Sequence, residues 1–297
     1  RWAGGGTGRR ARLRTVWAQA LKGSSPFLPT GRDEMDIAAT VLAFLFGSIY
    51  GSFLNVVIHR LPREESVVSP RSRCPHCGKP IAARDNFPVL SWILLRGRGR
   101  CCRKPISIRY PLVEAASGFL SAGLWLRWGG TPIFAGASAL ACGALLAVAL
   151  IDWDTFLIPD ELSLGLALAG LVFCAFNPYF DAGPGGAWWL APWWSARGAA
   201  FGFGLGWAVA AGGEALFKKE AFGGGDVKLL AGVGAWTGVT GVFDCLMIGS
   251  FLGSIYGLRL ILTGKAGRSD ASPFGPFLAV GAVFNFFRLL PLGWPLI

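Results

Sequence analysis

The sequence predicts an all-α membrane protein that crosses the bilayer several times. Of its 297 residues, 53% are hydrophobic and only 15% are charged, and the mean hydropathy is +0.49. Soluble domains carry roughly 25% charged residues. Apolar stretches of about 20 residues, the length that a helix needs to cross the hydrocarbon core, recur along the chain. Both features indicate that lipid surrounds much of the protein.

Eight stretches have the length and composition expected of membrane-spanning helices. Several are short and rich in glycine and alanine, and such small residues let membrane helices pack closely. The two stretches between residues 227 and 262 are continuous, so their shared boundary is open. In chain order, the predicted spans are Ile37–Ile58, Pro111–Trp128, Pro132–Ile151, Asp160–Phe176, Trp194–Leu216, Val227–Val242, Phe243–Leu262 and Pro276–Leu292.

The distribution of basic residues predicts the orientation of these spans. Residues 59–110 contain twelve Lys or Arg and three Asp or Glu, and smaller basic groups occur near 217–226 and 263–275. With eight spans, all three regions lie on one side, and basic loops stay in the cytosol. The opposite loop, 177–196, contains four tryptophans, which is typical of a membrane interface. We therefore expect a bacterial inner-membrane protein embedded in the lipid bilayer, and the net charge of +11 needs no nucleic-acid partner.

Four regions follow from this pattern. Residues 1–34 are rich in Gly and Arg and lack apolar periodicity, while Met35 immediately precedes the first span. We expect 1–34 to be either upstream translated sequence or a disordered native extension. Residues 35–58 form the first transmembrane helix, 59–110 a small cytosolic insert, and 111–297 a core of seven helices.

The insert contains four cysteines that predict a zinc site. Cys74 and Cys77 form a Cys-x-x-Cys turn, which places two thiolates at a spacing suited to tetrahedral zinc. Cys101 and Cys102 are adjacent and depart from that spacing. A disulfide is not expected in a reducing cytosol. Ligation of zinc by three or four of these cysteines is the prediction, and a folded, metal-free insert is the alternative.

Two acidic residues lie where predicted spans meet the cytosolic face. Asp152 follows the third span, and Asp226 opens the sixth directly after Gly223, Gly224 and Gly225. A carboxylate near the hydrocarbon is costly and usually marks function. The predicted topology brings both carboxylates to one membrane depth.

Two carboxylates in one site form an acid and a base. They cannot both ionise easily, so one keeps its proton. Such a pair can activate a water against a peptide carbonyl and protonate the leaving amine. The triple glycine permits unusual φ values and leaves room for an extended substrate strand beside Asp226. The residues alone also allow carboxylate-coupled transport, or simple helix caps.

Ordered motifs along the chain resemble the bacterial type IV prepilin peptidases, which are Gly-x-Gly-Asp aspartic membrane proteases. The resemblance covers about Ile37 to Ala279. The motifs are Gly51–Ile58, Cys74–Cys77, Asn86–Ser91, Leu95–Gly97, Pro105–Ser107, Tyr110–Glu114, Asp152 to Asp160, Gly223–Asp226 and Pro273–Phe277.

The resemblance implies that Asp152 and Asp226 are the catalytic pair. It implies cleavage of prepilin or pseudopilin leaders after a glycine at the cytosolic face. It also implies N-methylation of the new terminus, with S-adenosylmethionine as donor, in association with the insert. One departure concerns the metal: the family's second Cys-x-x-Cys would begin at Gly99, and this chain has Cys101 displaced toward Cys102.

Overall fold

The structure, a computed structural model, describes residues 34–74, 76–82, 85–180, 188–218, 222–264 and 272–287. The chain divides into two units, Arg1–Val41 and Leu42–Ile297. Only the start of the first helix represents the first unit in the described residues. The predictions for 1–33 therefore lie outside the part that the structure describes.

Regular structure in the described residues is helical, apart from two isolated bridges in the insert. Short 3₁₀ turns cover Leu61–Arg63, Cys174–Phe176 and Trp188–Leu190. The α-helices are α1 (Glu34–Arg60), α2 (Leu90–Leu94), α3 (Arg109–Trp128), α4 (Pro132–Thr155), α5 (Asp160–Phe173), α6 (Ala191–Phe217), α7 (Gly224–Leu262) and α8 (Gly275–Phe287).

The expected all-α membrane protein is confirmed. Four segments among the described residues are long and apolar enough to cross a membrane, namely Ile37–Arg63, Pro132–Thr155, Ala191–Leu216 and Gly224–Leu262. The remaining predicted spans correspond to α3, α5 and the shorter apolar α8, of which Phe287 is the last described residue.

Helix α7 contains two of the predicted spans, because it breaks at Gly238. This residue has φ 69° and ψ −170°, a conformation outside the helical region. A straight helix of 39 residues would be about 58 Å long. Instead both of its ends reach the start of α8, since Phe222 contacts Phe274 and Tyr256 contacts Phe277. Two arms therefore fold back on each other, and the predicted boundary after Val242 was wrong by one helical turn: the reversal requires a positive φ, which glycine adopts without a steric penalty.

Helix α6 packs against the first arm of α7 through a row of glycines. A Cβ on Gly198 would lie 2.1 Å from the Gly234 carbonyl oxygen, and one on Gly202 would lie 2.3 Å from that of Leu230. The spacing of four residues places these glycines on one helix face, where they allow the backbones to touch. This contact fixes the arm that begins with Asp226.

Contacts between helix ends divide the bundle into two ends. At the first end, Arg109 opens α3 and pairs with Asp154 near the end of α4. At the opposite end, the Trp128 indole donates to the Phe286 carbonyl, and the Asn177 amide donates to the Trp236 carbonyl. The segments 61–108, 218–223 and 263–274 therefore join helices at the first end, as the charge pattern predicted.

Candidate active site

Asp152 lies in the last turn of α4 and is buried, with 6% of its surface exposed. Its Oδ2 accepts a hydrogen bond of 2.9 Å from the N–H of Gly275, the first residue of α8. Phe156 then closes α4 in a left-handed conformation (φ 56°), so the chain turns away one turn after the carboxylate. Asp152 is thus held between the end of one helix and the start of another.

Asp226 occupies the first turn of α7 and is 8% exposed. Its Oδ2 accepts a hydrogen bond of 3.2 Å from the N–H of Gly223, the residue that precedes the helix. Its Oδ1 is buried and has no hydrogen-bond partner within the described residues. One oxygen therefore caps the helix, and the other is a buried acceptor that the fold leaves unused.

The structure brings the two carboxylates together at the first end of the bundle. Asp152 and Asp226 interact electrostatically, and Ile158 lies between the helix starts that carry their partners. A Cβ on Gly225 would lie 2.8 Å from Ile158 Cβ, and a Cβ on Gly275 would lie 3.1 Å from Ile158 Cδ1. One side chain thus spaces α7 from α8. The sequence reasoning did not single out Ile158 as a spacer, and only the resemblance pointed to Gly275.

The three glycines before Asp226 have different surroundings. Gly223 is extended (φ −72°, ψ 151°), and Gly224 begins α7. None of the three has a positive φ, so the expected unusual φ is not observed. Instead, Gly225 permits close packing on Ile158, whereas a Cβ on Gly224 would meet no atom within 4 Å. Open space beside Asp226 is therefore available at Gly224 and not at Gly225.

Neighbouring acids form ion pairs at the surface. Asp154 accepts from Arg109 at 2.6 Å, and both oxygens of Asp160 accept from Lys228 at 2.7 and 2.8 Å. These carboxylates are 40% and 56% exposed. The contrast with the buried Asp152 and Asp226 separates a two-carboxylate site from solvated ion pairs.

The insert contains two turns with the same hydrogen bonds. Cys74 N–H donates to the Lys79 carbonyl at 2.8 Å, and Gly99 N–H donates to the Lys104 carbonyl at 2.9 Å. Gly78 (φ 69°) and Arg103 (φ 60°) take the same left-handed position. Gly99 is therefore the structural equivalent of Cys74, and Cys101 occupies the position that His76 has in the first turn.

All four cysteine sulfurs nevertheless converge. The Sγ atoms of Cys74, Cys77, Cys101 and Cys102 lie within 4.8 Å of one another. Cys74 and Cys102 are 3.7 Å apart, and Cys77 and Cys101 are 3.2 Å apart. Tetrahedral zinc with bonds of about 2.3 Å separates its sulfurs by about 3.8 Å. The donor set and the size of the cluster fit zinc.

Local backbone contacts also prepare this cluster for a cation. Hydrogen bonds from the backbone N–H groups of His76 and Cys77 lower the pKa of the Cys74 thiol to about 6. Hydrogen bonds with the sulfurs of Cys77 and Cys74 raise the pKa of Cys101 to about 12. Four adjacent sulfurs therefore resist becoming four thiolates unless a cation binds them.

Comparisons with known proteins were made for the whole chain. Residues 45–128 match the bacterial peptidase A24 N-terminal domain, and residues 139–258 match the type IV leader peptidase family. The chain is 38% identical over 267 residues to a prepilin leader peptidase/N-methyltransferase of Aeromonas hydrophila, covering 80% of this chain and 87% of the relative.

Two further relatives have the same name. One from Burkholderia pseudomallei (strain 1026b) is 37% identical over 285 residues, covering 88% of this chain and 87% of its own length. One from Klebsiella pneumoniae is 43% identical over 215 residues, covering 70% and 89%. No solved structure matches the chain.

Proposed function

Because the chain belongs to the type IV leader peptidase family, we propose that it removes the leader peptides of type IV prepilins and pseudopilins. Asp152 and Asp226 are the catalytic pair in this proposal, and cleavage follows a glycine of the substrate. One observation carries the assignment: both carboxylates are buried at the same end of the bundle, on the ends of different helices.

The proposed mechanism uses one carboxylate as base and the other as acid. The base takes a proton from a water molecule, which attacks the scissile carbonyl, and the acid protonates the leaving amine. Oδ1 of Asp226 has no hydrogen-bond partner among the described residues, so it is available to a water or a substrate group. Gly275 N–H orients Asp152. Gly223 and Gly224 border the approach of the extended substrate, while Gly225 holds the pair at its spacing.

The second proposed activity is N-methylation of the new terminus. The relatives are named N-methyltransferases, and S-adenosylmethionine would supply the methyl group. We assign this activity to the insert at 59–110 and proteolysis to the core at 111–297. Zinc held by Cys74, Cys77, Cys101 and Cys102 would join the two turns of the insert and stabilise it. The convergence of the four sulfurs supports this metal site.

The proposed setting is the bacterial inner membrane, with the aspartates facing the cytosol. Basic segments join the helices at the end that contains the aspartates, and basic loops stay in the cytosol. The apolar helix of a prepilin would lie in the bilayer beside the bundle. The alternative of a carboxylate-coupled transporter has no support from the relatives.

Co-expression with a prepilin tests the proteolytic pair. We expect Asp152→Asn and Asp226→Asn each to reduce cleavage by at least about 1,000-fold while membrane insertion stays normal. Asp160→Asn is the matched control, because it removes only an exposed ion pair worth about 0–1 kcal/mol. Mass spectrometry of the pilin reports the cleavage position and N-methylation together. Full cleavage by either active-site variant would refute the mechanism.

A further inference from the structure

A second large cavity-forming region lies away from the aspartates, between the insert and helices α1 and α3. Its volume is about 940 Å³, and it is lined by both membrane helices and by the insert. Cavities of about 300–1,000 Å³ are typical of small-molecule sites. The proteolytic mechanism uses none of the residues that line it, so the cavity is available for the second activity.

The membrane end of this cavity contains a partly buried carboxylate, Glu114 on α3. Its Oε2 accepts a hydrogen bond of 2.7 Å from the N–H of Val89, and Ser52 of α1 also bonds to this side chain. The carboxylate is therefore held from the insert and from a neighbouring helix at once. Such an anion at the floor of a cavity is suited to bind a cation.

The backbone at Val89 is strained in order to make this contact. Val89 has φ 61° and ψ −50°, a conformation that a β-branched residue rarely adopts. Strain of this kind costs about 1–3 kcal/mol and is concentrated at functional sites. The fold therefore spends stability to aim an N–H at Glu114.

The insert supplies an aromatic wall. The Trp92 indole N–H donates to the Ile106 carbonyl at 3.1 Å, and a Cβ on Gly97 would lie 2.9 Å from the Trp92 ring. Gly97 also has a positive φ of 66°, so glycine is favoured there twice over. Trp92 is thus a fixed ring, and together with Tyr110 and Phe87 it offers flat surfaces for a purine base or a sulfonium group.

We propose that this cavity is the site of methyl transfer, that its aromatic wall binds the adenosyl donor, and that Glu114 binds the amino terminus of the acceptor. The proposal rests on the N-methyltransferase activity proposed above. It adds the location of the donor and a residue that contacts the acceptor.

The transfer balances with the residues present. Glu114 takes a proton from the acceptor ammonium and thereby exposes the lone pair of the amine. The amine nitrogen forms a bond to the methyl carbon as the carbon–sulfur bond breaks, and that electron pair stays on sulfur. The products are a methylated terminus and S-adenosylhomocysteine, and the proton passes from Glu114 to solvent.

The position of the cavity explains why one protein would perform both steps. Glu114 lies on α3, and Arg109 at the start of α3 donates to Asp154 and to the Leu150 carbonyl in the last turns of α4. Asp152 belongs to the same turns. A newly cut terminus would therefore move between adjacent helices at one membrane depth to reach Glu114.

Photolabelling tests the donor site without requiring activity. The purified full-length protein is irradiated with 8-azido-S-adenosylmethionine, and the labelled peptides are mapped by mass spectrometry. We expect label in 85–95 or 105–110, suppressed by excess S-adenosylhomocysteine. Suppressible label only in peptides outside the cavity, such as 151–160 or 222–230, or no suppressible label, overturns the location.

Glu114→Gln tests the acceptor contact. The acceptor is a pilin that already has a free mature terminus, so methylation is measured independently of leader cleavage. We expect about a 100-fold slower methylation by the variant, with photolabelling, zinc content and prepilin cleavage unchanged. Glu161→Gln, an exposed carboxylate on α5, is the matched control and should stay within about twofold of wild type.

The possible results separate this inference from the proposed function. Methylation at the wild-type rate by Glu114→Gln refutes the role of Glu114, even when cleavage is normal. Loss of labelling together with methylation shows that Glu114 acts on the donor or on folding, and it also refutes the acceptor contact. A wild-type protein that methylates the mature pilin and fails to cut the prepilin counts against the protease alone.

Discussion

Replacing Gly225 by alanine tests whether Ile158 sets the spacing of the two carboxylates. The new Cβ would lie 2.8 Å from Ile158 Cβ and 3.4 Å from its Cγ1. Carbon atoms normally approach to about 3.5–4.0 Å, so the two groups must separate by about 1 Å. Ile158 is confined on its other side by Gly275, whose N–H holds Asp152. The displacement is therefore transmitted to the catalytic pair.

The expected effect is on catalysis more than on folding. A misplacement of about 1 Å in an active site costs about 100-fold in rate. Overpacking destabilises by about 1–3 kcal/mol, and the better helix propensity of alanine returns up to about 1 kcal/mol. We therefore expect Gly225→Ala to insert into the membrane, to remain folded, and to cleave a prepilin about 100-fold more slowly in kcat.

The assay is a time course of leader removal in proteoliposomes at saturating substrate. Gly165→Ala is the matched control, because it makes the same change in α5, where a Cβ meets no atom within 4 Å. Its kcat should equal that of the wild type. A Gly225→Ala enzyme with wild-type kcat would show that Ile158 does not control the carboxylates.

Three further predictions concern the substrate path, the metal and the helix contact. Gly224→Ala adds a methyl group in open space beside Asp226, so we expect a higher KM with kcat unchanged; steady-state kinetics with unchanged KM would contradict the substrate path. Cys101→Ser removes one of four converging sulfurs, so zinc measured by elemental analysis after dialysis against a chelator should fall from about one ion per chain to well under half; full retention would exclude Cys101 as a ligand. Gly198→Ala would place a Cβ 2.1 Å from the Gly234 carbonyl oxygen, so it should lower the unfolding midpoint in detergent, whereas Gly212→Ala, which meets no atom within 4 Å, should not; equal midpoints would contradict the close contact of α6 and α7.

Much of the fold was predictable, because lipid imposes a simple rule on sequence. Apolar length marks each span, and the excess of Lys and Arg in alternate loops orders the spans. These rules placed Asp152 and Asp226 at one end before any coordinates were considered. They failed at Gly238, because both arms of α7 are equally apolar and hydropathy contains no signal for the turn.

The insert was less predictable. Spacing along the chain suggested that the displaced Cys101 weakened the metal site. The structure shows that Cys101 reaches the cluster from the position equivalent to His76, because the second turn repeats the hydrogen bonds of the first. A sulfur can approach a common point from either side of such a turn, and sequence spacing alone does not express this.

The sequence by itself determined that the chain is a helical membrane protein, and it singled out the two aspartates and the four cysteines, since composition and local motifs depend on residues close together in the chain. Only the tertiary structure decided that Ile158 spaces the carboxylates, that Gly225 and Gly224 have different surroundings, and that Glu114 meets the N–H of a strained Val89. These contacts join segments far apart in the chain, and their energies depend on distances of a few ångströms that only packing sets.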